Sequence, residues 1–210
     1  MINEAVYLAK RMLVDSIYRS ANVEGLGTTF PDTHCIINNI KTNTTYEETS
    51  FIIGMKRGWK YILDNIGSPN DLVFIENLHE VCCKSLVLNA GSIRRDSVRI
   101  SGTNYIPEVP NIDLLFSSMK EIDAISEPIS KALVMFCYIT RTQPFMDGNK
   151  RIAQLIANKI LIENNIGILS IPVDKVSEFM KLLVKYYETN DALELCTFLK
   201  SYCIERVSKR

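Results

Sequence analysis

The sequence predicts an all-α chain carrying one small hairpin. Three observations lead there. Apolar residues recur at helical spacing over most of the 210 residues. Proline, glycine and hydroxyl residues fall where such stretches begin and end. Only residues 92–110 show the alternation and turn residues of extended chain. No internal repeat or low-complexity tract interrupts this pattern.

The elements follow in order. Ile2 to Tyr18 reads as a helix with Ile2, Val6, Ala9, Leu13 and Ile17 on one face, closed by Gly25. Leu26 to Lys41 is polar, contains Pro31 and His34, and reads as a linking loop with at most a short turn. Thr44 and Glu47 have capping-box spacing, and Ile52, Met55, Trp59, Ile62 and Ile66 line the helix that follows. Ser68 reads as the next cap, with Pro69 in the first helical position. Phe74, Ile75, Leu78, Val81 and Cys82 form that helix's apolar face. His79 has no carboxylate or second histidine one helical turn away, so it reads as a surface or packing residue rather than a ligand.

After Asn89-Ala90-Gly91 the chain turns to hairpin chemistry: two short arms, with Val98 and Ile100 alternating, around Ser101-Gly102-Thr103-Asn104. Asn111 to Ile125 is amphipathic again, with Ile112, Leu115, Met119 and Ile122 on its apolar face. Pro128 opens Ile129 to Arg141, which is apolar all round from Ala132 to Ile139 and therefore reads as a core helix. A further helix runs to about Asn164, and Val173–Tyr187 and Asp191–Val207 close the chain as two more.

Length suits a single domain over 1–210. Hydrophobic content of 47% and charged content of 23% are those of a globular protein. A formal net charge of zero gives no bulk attraction for nucleic acid. The N-terminus has an acidic residue and no long apolar run, so neither a leader nor a membrane span is expected. Cys35, Cys82, Cys83, Cys137, Cys196 and Cys203 lack C-x-x-C spacing and read as reduced thiols. The expected setting is cytoplasmic.

The stretch with chemistry in it is Gln143 to Gln154, Q-P-F-M-D-G-N-K-R-I-A-Q. Pro144 ends the preceding helix, and Gly148 permits a turn closed to other residues. Ile152, Leu155, Ile156 and Ile160 then start a helix. Its first N–H groups lack intrahelical partners, and the helix dipole is positive there. Lys150 and Arg151 add cations at the end where a purely structural helix prefers acids. The combination is an anion site, suited to phosphate. Asp147 beside it suits a hard cation such as Mg²⁺.

This stretch resembles the signature of the Fic (Fic/Doc) family, HxFx(D/E)GNGRxxR, at Phe145, Asp147, Gly148, Asn149 and Arg151. Gln143 stands where the family has its catalytic histidine, Lys150 replaces the second glycine as in the Doc-like branch, and Gln154 replaces the second arginine. Ser20, Glu24 and Gly25 resemble the family's inhibitory-helix pattern, (S/T)xxxE(G/N), which makes 1–25 an inhibitory segment. Gly91 to Arg94 resembles its G-x-x-R run, ahead of a flap over 92–110 that pairs with a target protein's backbone.

The resemblance implies a Fic-type helical domain that transfers AMP from ATP to a protein hydroxyl. Asp147 would hold Mg²⁺. Gly148 and Asn149 would form the anion hole, Arg151 would contact β-phosphate, and Phe145, Lys150 and Gln154 complete the nucleotide site. Gln143 cannot take a proton but could orient the acceptor hydroxyl through its carbonyl oxygen. Losing the base costs about 10²–10⁴-fold in rate. Gln154 offers Glu24 a neutral hydrogen bond in place of an ion pair. Gly102, Thr103, Asn104 and Tyr105 form the flap tip on which a target would dock. A Doc-like phosphotransferase and a catalytically silent nucleotide- or protein-binding module are the alternatives. The implied partners are a target protein and a nucleotide, with no membrane and no direct nucleic-acid ligand; a homo-oligomer is left open.

Overall fold

The computed structural model describes residues 3–207. Ile2, expected on the first helix's apolar face, lies outside them. Among the described residues there are ten α-helices and one short pair of strands, so the all-α expectation stands. None of these helices is long and apolar enough to cross a membrane.

The first helix is two. Helix α1 (Glu4–Arg11) stops at Met12, and α2 (Leu13–Val23) continues beyond Tyr18 to end at Glu24. Asn3 caps α1, its side-chain oxygen accepting from the Val6 N–H at 3.2 Å. Ala5, Leu8, Ala9 and Ile17 are buried. The linking loop contains α3 (Phe30–Ile37), capped by Thr29, with Pro31 in its first turn where a missing N–H costs nothing. His34 sits exposed on this helix, not in a loop.

Helix α4 (Tyr46–Asp64) starts from a capping box of Thr45 and Glu48, one residue past the expected Thr44 and Glu47. Helix α5 (Leu72–Cys83) starts at Asp71, not Ser68, with the Asp71 carboxylate accepting from Phe74 N–H at 2.8 Å. The two cross closely: a Cβ at Gly54 would stand 2.2 Å from the Cys82 carbonyl oxygen.

Helix α6 (Ile112–Asp123) leads through Glu127, which caps α7, to α7 (Pro128–Thr142) and α8 (Asn149–Glu163). Helix α7 is buried from Ala132 to Thr140 except at Val134 and Tyr138, while α8 is buried from Asn149 through Ile162 apart from Lys150. So α8 is the central helix. Its Ile152, Leu155, Ile156 and Ile160 are at most 1% exposed, each burial favouring the fold by about 1.5–3 kcal/mol. Helices α1, α4, α5 and α7 pack around it.

After α8 come β1 (Gly167–Leu169), α9 (Val176–Thr189) and α10 (Leu193–Phe198). The last expected helix ends early, in a wide turn over Leu199–Cys203 and then β2 (Ile204–Arg206). Strand β2 pairs antiparallel with β1 in the register Ile168↔Glu205. This pair is not the expected hairpin. Residues 92–110 are extended around a turn at Gly102 (φ +82°), but their arms form no strand ladder.

Candidate active site

The connection from α7 to α8 is built by its own polar groups. Gln143 closes α7 in the left-handed conformation, φ +47°. Asn149 accepts from the Phe145 N–H through Oδ1 (3.0 Å). Its amide donates to Phe145 O (2.9 Å) and to Gln143 Oε1 (2.8 Å). Both side chains therefore brace the loop. Asn149 does not aim its amide at an anion, while Gln143 donates through Nε2 to Thr140 O at 2.5 Å and its Oε1 accepts one bond from Asn149, which leaves that oxygen a second lone pair. The expectation for the Asn149 side chain is corrected by geometry that a sequence does not reveal.

What remains at the start of α8 is backbone. Gly148 holds the N-cap position at φ +81°, with no side-chain cap. The N–H groups of Asn149, Lys150 and Arg151 have no acceptor among the described residues. Glycine is required twice over at 148, because a Cβ there would meet Cys83 Sγ at 2.7 Å. Arg151 is buried and bonds through Nη2 to Asp147 Oδ2 at 2.7 Å, while the Asp147 side chain is 70% exposed. Burial acts to lower the Arg151 pKa, but Cys83 and Asp147 outweigh it and raise it. The Cys83 thiol is drawn down to about 5, chiefly by its hydrogen bond with Cys82 and also by His79 and Arg151, against its burial.

The inhibitory pattern does reach this helix, with different partners from those expected. Glu24 Oε2 lies 2.9 Å from Lys150 Nζ, both side chains mostly buried, rather than bonding Gln154. Gln154 pairs with Ser20 instead: Ser20 Oγ is 2.8 Å from Gln154 Oε1 and 2.9 Å from Ser16 O. One hydroxyl proton cannot serve both, and Gln154 Nε2 is buried without a partner among the described residues. Turning the amide over lets Nε2 donate to Ser20 Oγ while Ser20 donates to Ser16 O.

A cleft of about 260 Å³ opens over Asp147, Gly148, Asn149 and Lys150. Glu24 and Gln143 border it, and Met180, Leu183, Val184 and Tyr187 of α9 form an apolar wall. Burial first, and then the charge of Glu24, raises the Tyr187 pKa, so its phenol stays neutral. These α9 residues were missed in the sequence, although Met180, Val184 and Tyr187 recur at helical spacing beside the core stripe of Phe179, Leu183 and Tyr186.

The flap's near arm, Val98 to Ser101, roofs the cleft, whereas the expected tip residues are partly committed elsewhere. Thr103 donates to Glu188 at 3.1 Å, and the Tyr105 ring sits under the Arg141 guanidinium (4.2 Å) and 6.3 Å from Tyr187. Gly102 and Asn104 are exposed. Buried Arg94 closes the base of the flap. Its guanidinium donates to Asp96 O (2.7 Å) and Glu108 O (2.5 Å) on the two arms, and to Gln143 O (2.6 Å) and Thr142 O (3.3 Å) at the end of α7.

Residues 69–161 match the family model described as Fic/DOC family. That segment is a Fic/DOC-family domain. The chain is 25% identical over 165 residues to the Protein adenylyltransferase Fic of Culex quinquefasciatus, covering 73% of this chain and 33% of that protein. It is also 25% identical over 186 residues to the one from Drosophila melanogaster, covering 83% and 37%. It thus spans about a third of the length of these curated relatives. Among solved structures, Fic-1 from C. elegans superposes with a TM-score of 0.74 at 19% identity, over 92% of this chain and 61% of that one. A Fic family protein from Desulfovibrio desulfuricans does so with 0.77 at 16% identity, over 92% and 62%. The Fic fold therefore extends beyond residues 69–161 to take in nearly the whole chain.

Proposed function

We propose that this Fic domain binds ATP in the cleft over α8 and transfers AMP to a hydroxyl side chain of a target protein, at a low rate. One observation carries the reading. A single cleft joins Asn149 and Lys150, whose backbone N–H groups are unpaired among the described residues, and the Lys150 cation to an apolar wall on α9 that suits a base. The relatives' name, protein adenylyltransferase, points the same way.

In the proposed reaction the acceptor oxygen bonds to the α-phosphorus and the bond to the departing pyrophosphate breaks. The acceptor proton passes to solvent, since the Gln143 amide has no usable basicity. Backbone N–H groups at 149–151 and Arg151 supply charge stabilisation in fixed positions. Mg²⁺ would bring further positive charge to the phosphates. The residues present fit a cation that arrives with the nucleotide: Asp147 is one exposed carboxylate, and the described residues contain no cluster of three ligands. Glu24 acts as the inhibitory group by holding Lys150 and placing a negative charge at the cleft's phosphate end. The target docks on the flap, whose unladdered arms leave backbone groups for a partner strand.

The absence of a basic group at Gln143, whose amide bonds Thr140 O and Asn149, favours a second reading, a nucleotide-binding module without transfer. The test uses ATP labelled separately at the α and γ positions, with the parent and Gln143→His, against a broad protein lysate. AMP transfer predicts α label on protein, rising about 10²-fold or more in Gln143→His. Transfer of the γ label alone would instead make the domain a Doc-like phosphotransferase, and neither label in either protein would leave the binding module. In calorimetry Arg151→Ala should weaken ATP binding by about 1.5–3 kcal/mol; unchanged affinity would remove the phosphate site itself.

A further inference from the structure

We infer that His79 is a positioning residue that sets the conformation of the Asp147–Gly148 turn, and through it the anion site. The inference rests on the nucleotide reading only for its functional consequence. His79 lies on α5 and is 1% exposed. Its Nδ1 is 2.7 Å from the Gly91 backbone nitrogen. A backbone N–H can only donate, so Nδ1 is the bare acceptor and the proton of the neutral ring sits on Nε2. That Nε2–H donates to Asp147 O at 2.9 Å. The ring also lies flat on Phe145, with centroids 3.8 Å apart and planes 8° apart.

One side chain therefore ties α5 to two other segments. It grips the loop by Phe145 and Asp147, and the flap approach by Gly91, three residues before Arg94. The Asp147 carbonyl is bonded inward to α5 while the Asp147 carboxylate is exposed and bonded to Arg151. The Gly148 Cα follows directly against the same nitrogen, since a Cβ there would lie 3.3 Å from Nε2. A packing residue would need only the stack on Phe145. The two directional bonds, with a tautomer that serves both, mark a group that orients a peptide.

Glutamine and asparagine separate the two bonds. The His79→Gln substitution places an amide donor at the reach of Nε2, and His79→Asn places an acceptor at the reach of Nδ1. Amide hydrogen exchange of Phe145 and Ile152, whose N–H groups bond to Asn149 Oδ1 and Gly148 O around this turn, is measured in the ligand-free full chain, with thermal unfolding and MgATP titration alongside. His79→Asn is expected to speed exchange of these amides roughly tenfold and weaken MgATP binding to a similar degree, while His79→Gln keeps both within about threefold of the parent. Parental exchange in His79→Asn would overturn the inference, and so would equal acceleration in both variants. If His79→Asn does not fold, His79→Gln decides alone: its Phe145 and Ile152 amides must stay slow while the Gly91 amide speeds up. A parent that binds no MgATP would overturn the nucleotide reading, and the exchange comparison would still decide the role of His79.

Discussion

The signature loop and the flap face each other across one cleft and are held in opposite ways. In the loop nearly every polar side chain is consumed locally: Asn149 makes three bonds, Gln143 two, and His79 and Arg94 clamp it from outside. The flap has no ladder. It is pinned at its base by Arg94, with Thr103 and Tyr105 held on α9 and α7, and the rest is open extended chain. A site that stabilises charge gains from groups that need not reorganise. A surface that accepts a foreign strand needs unpaired backbone. Under the proposed function these two requirements fall in separate segments.

The largest test of this contrast uses two glycines with nearly the same φ. Gly148 and Gly102 have φ of +81° and +82°, but a Cβ meets Cys83 Sγ at 2.7 Å at the first and nothing within 4 Å at the second. Gly148→Ala should cost about 2–5 kcal/mol in urea unfolding, from left-handed strain plus overpacking. Gly102→Ala should cost only about 1–2 kcal/mol, from strain alone. Equal losses would mean that the loop is no more tightly built than the flap.

Arg94→Ala comes next. It removes four charge-assisted bonds to backbone oxygens, and about 1.5–3 kcal/mol of stability should go with them. Because the flap has no ladder in reserve, trypsin should cut at exposed Arg99 faster than the fall in stability explains. Cleavage tracking stability alone would show that Arg94 supports the fold and not the flap.

The same contrast marks what the sequence could reveal. Cap residues and apolar stripes located most helices, because those signals are local. The capping box slipped by one residue because Thr44–Glu47 and Thr45–Glu48 have the same spacing. Helix α3 was read as loop because Pro31 counts as a breaker everywhere except in a first turn, where it sits. The loop residues Phe145, Asp147, Gly148, Asn149 and Arg151 were found from their order, but the direction of each side chain was not. Asn149 looks like an anion donor until the Phe145 backbone claims it. His79 gave no local signal, since its partners are 12 and 68 residues away. The flap's pairing was misjudged because ladder formation depends on what the arms rest on.

Glu24→Gln has the smallest expected effect and tests how far the loop's phosphate end is already filled. Glu24 and Lys150 are 2.9 Å apart with side chains 20% and 24% exposed. Such a pair lies between surface and interior, and exposed pairs are typically worth about 0.2–1 kcal/mol. The fold should therefore barely notice the change. The consequence for nucleotide has a definite sign: removing the carboxylate frees Lys150 and removes a negative charge from the cleft border, so ATP should bind up to about fivefold more tightly, as expected for about 1 kcal/mol. Screening should shrink this gain between low and physiological salt, where the Debye length falls from about 30 Å to about 8 Å. Ser20→Ala, which disturbs the neutral Gln154 contact instead, should show no such salt dependence. If Glu24→Gln leaves ATP affinity unchanged at low salt, then Lys150 is not part of the phosphate site, and Glu24 braces α2 against α8 without guarding the cleft.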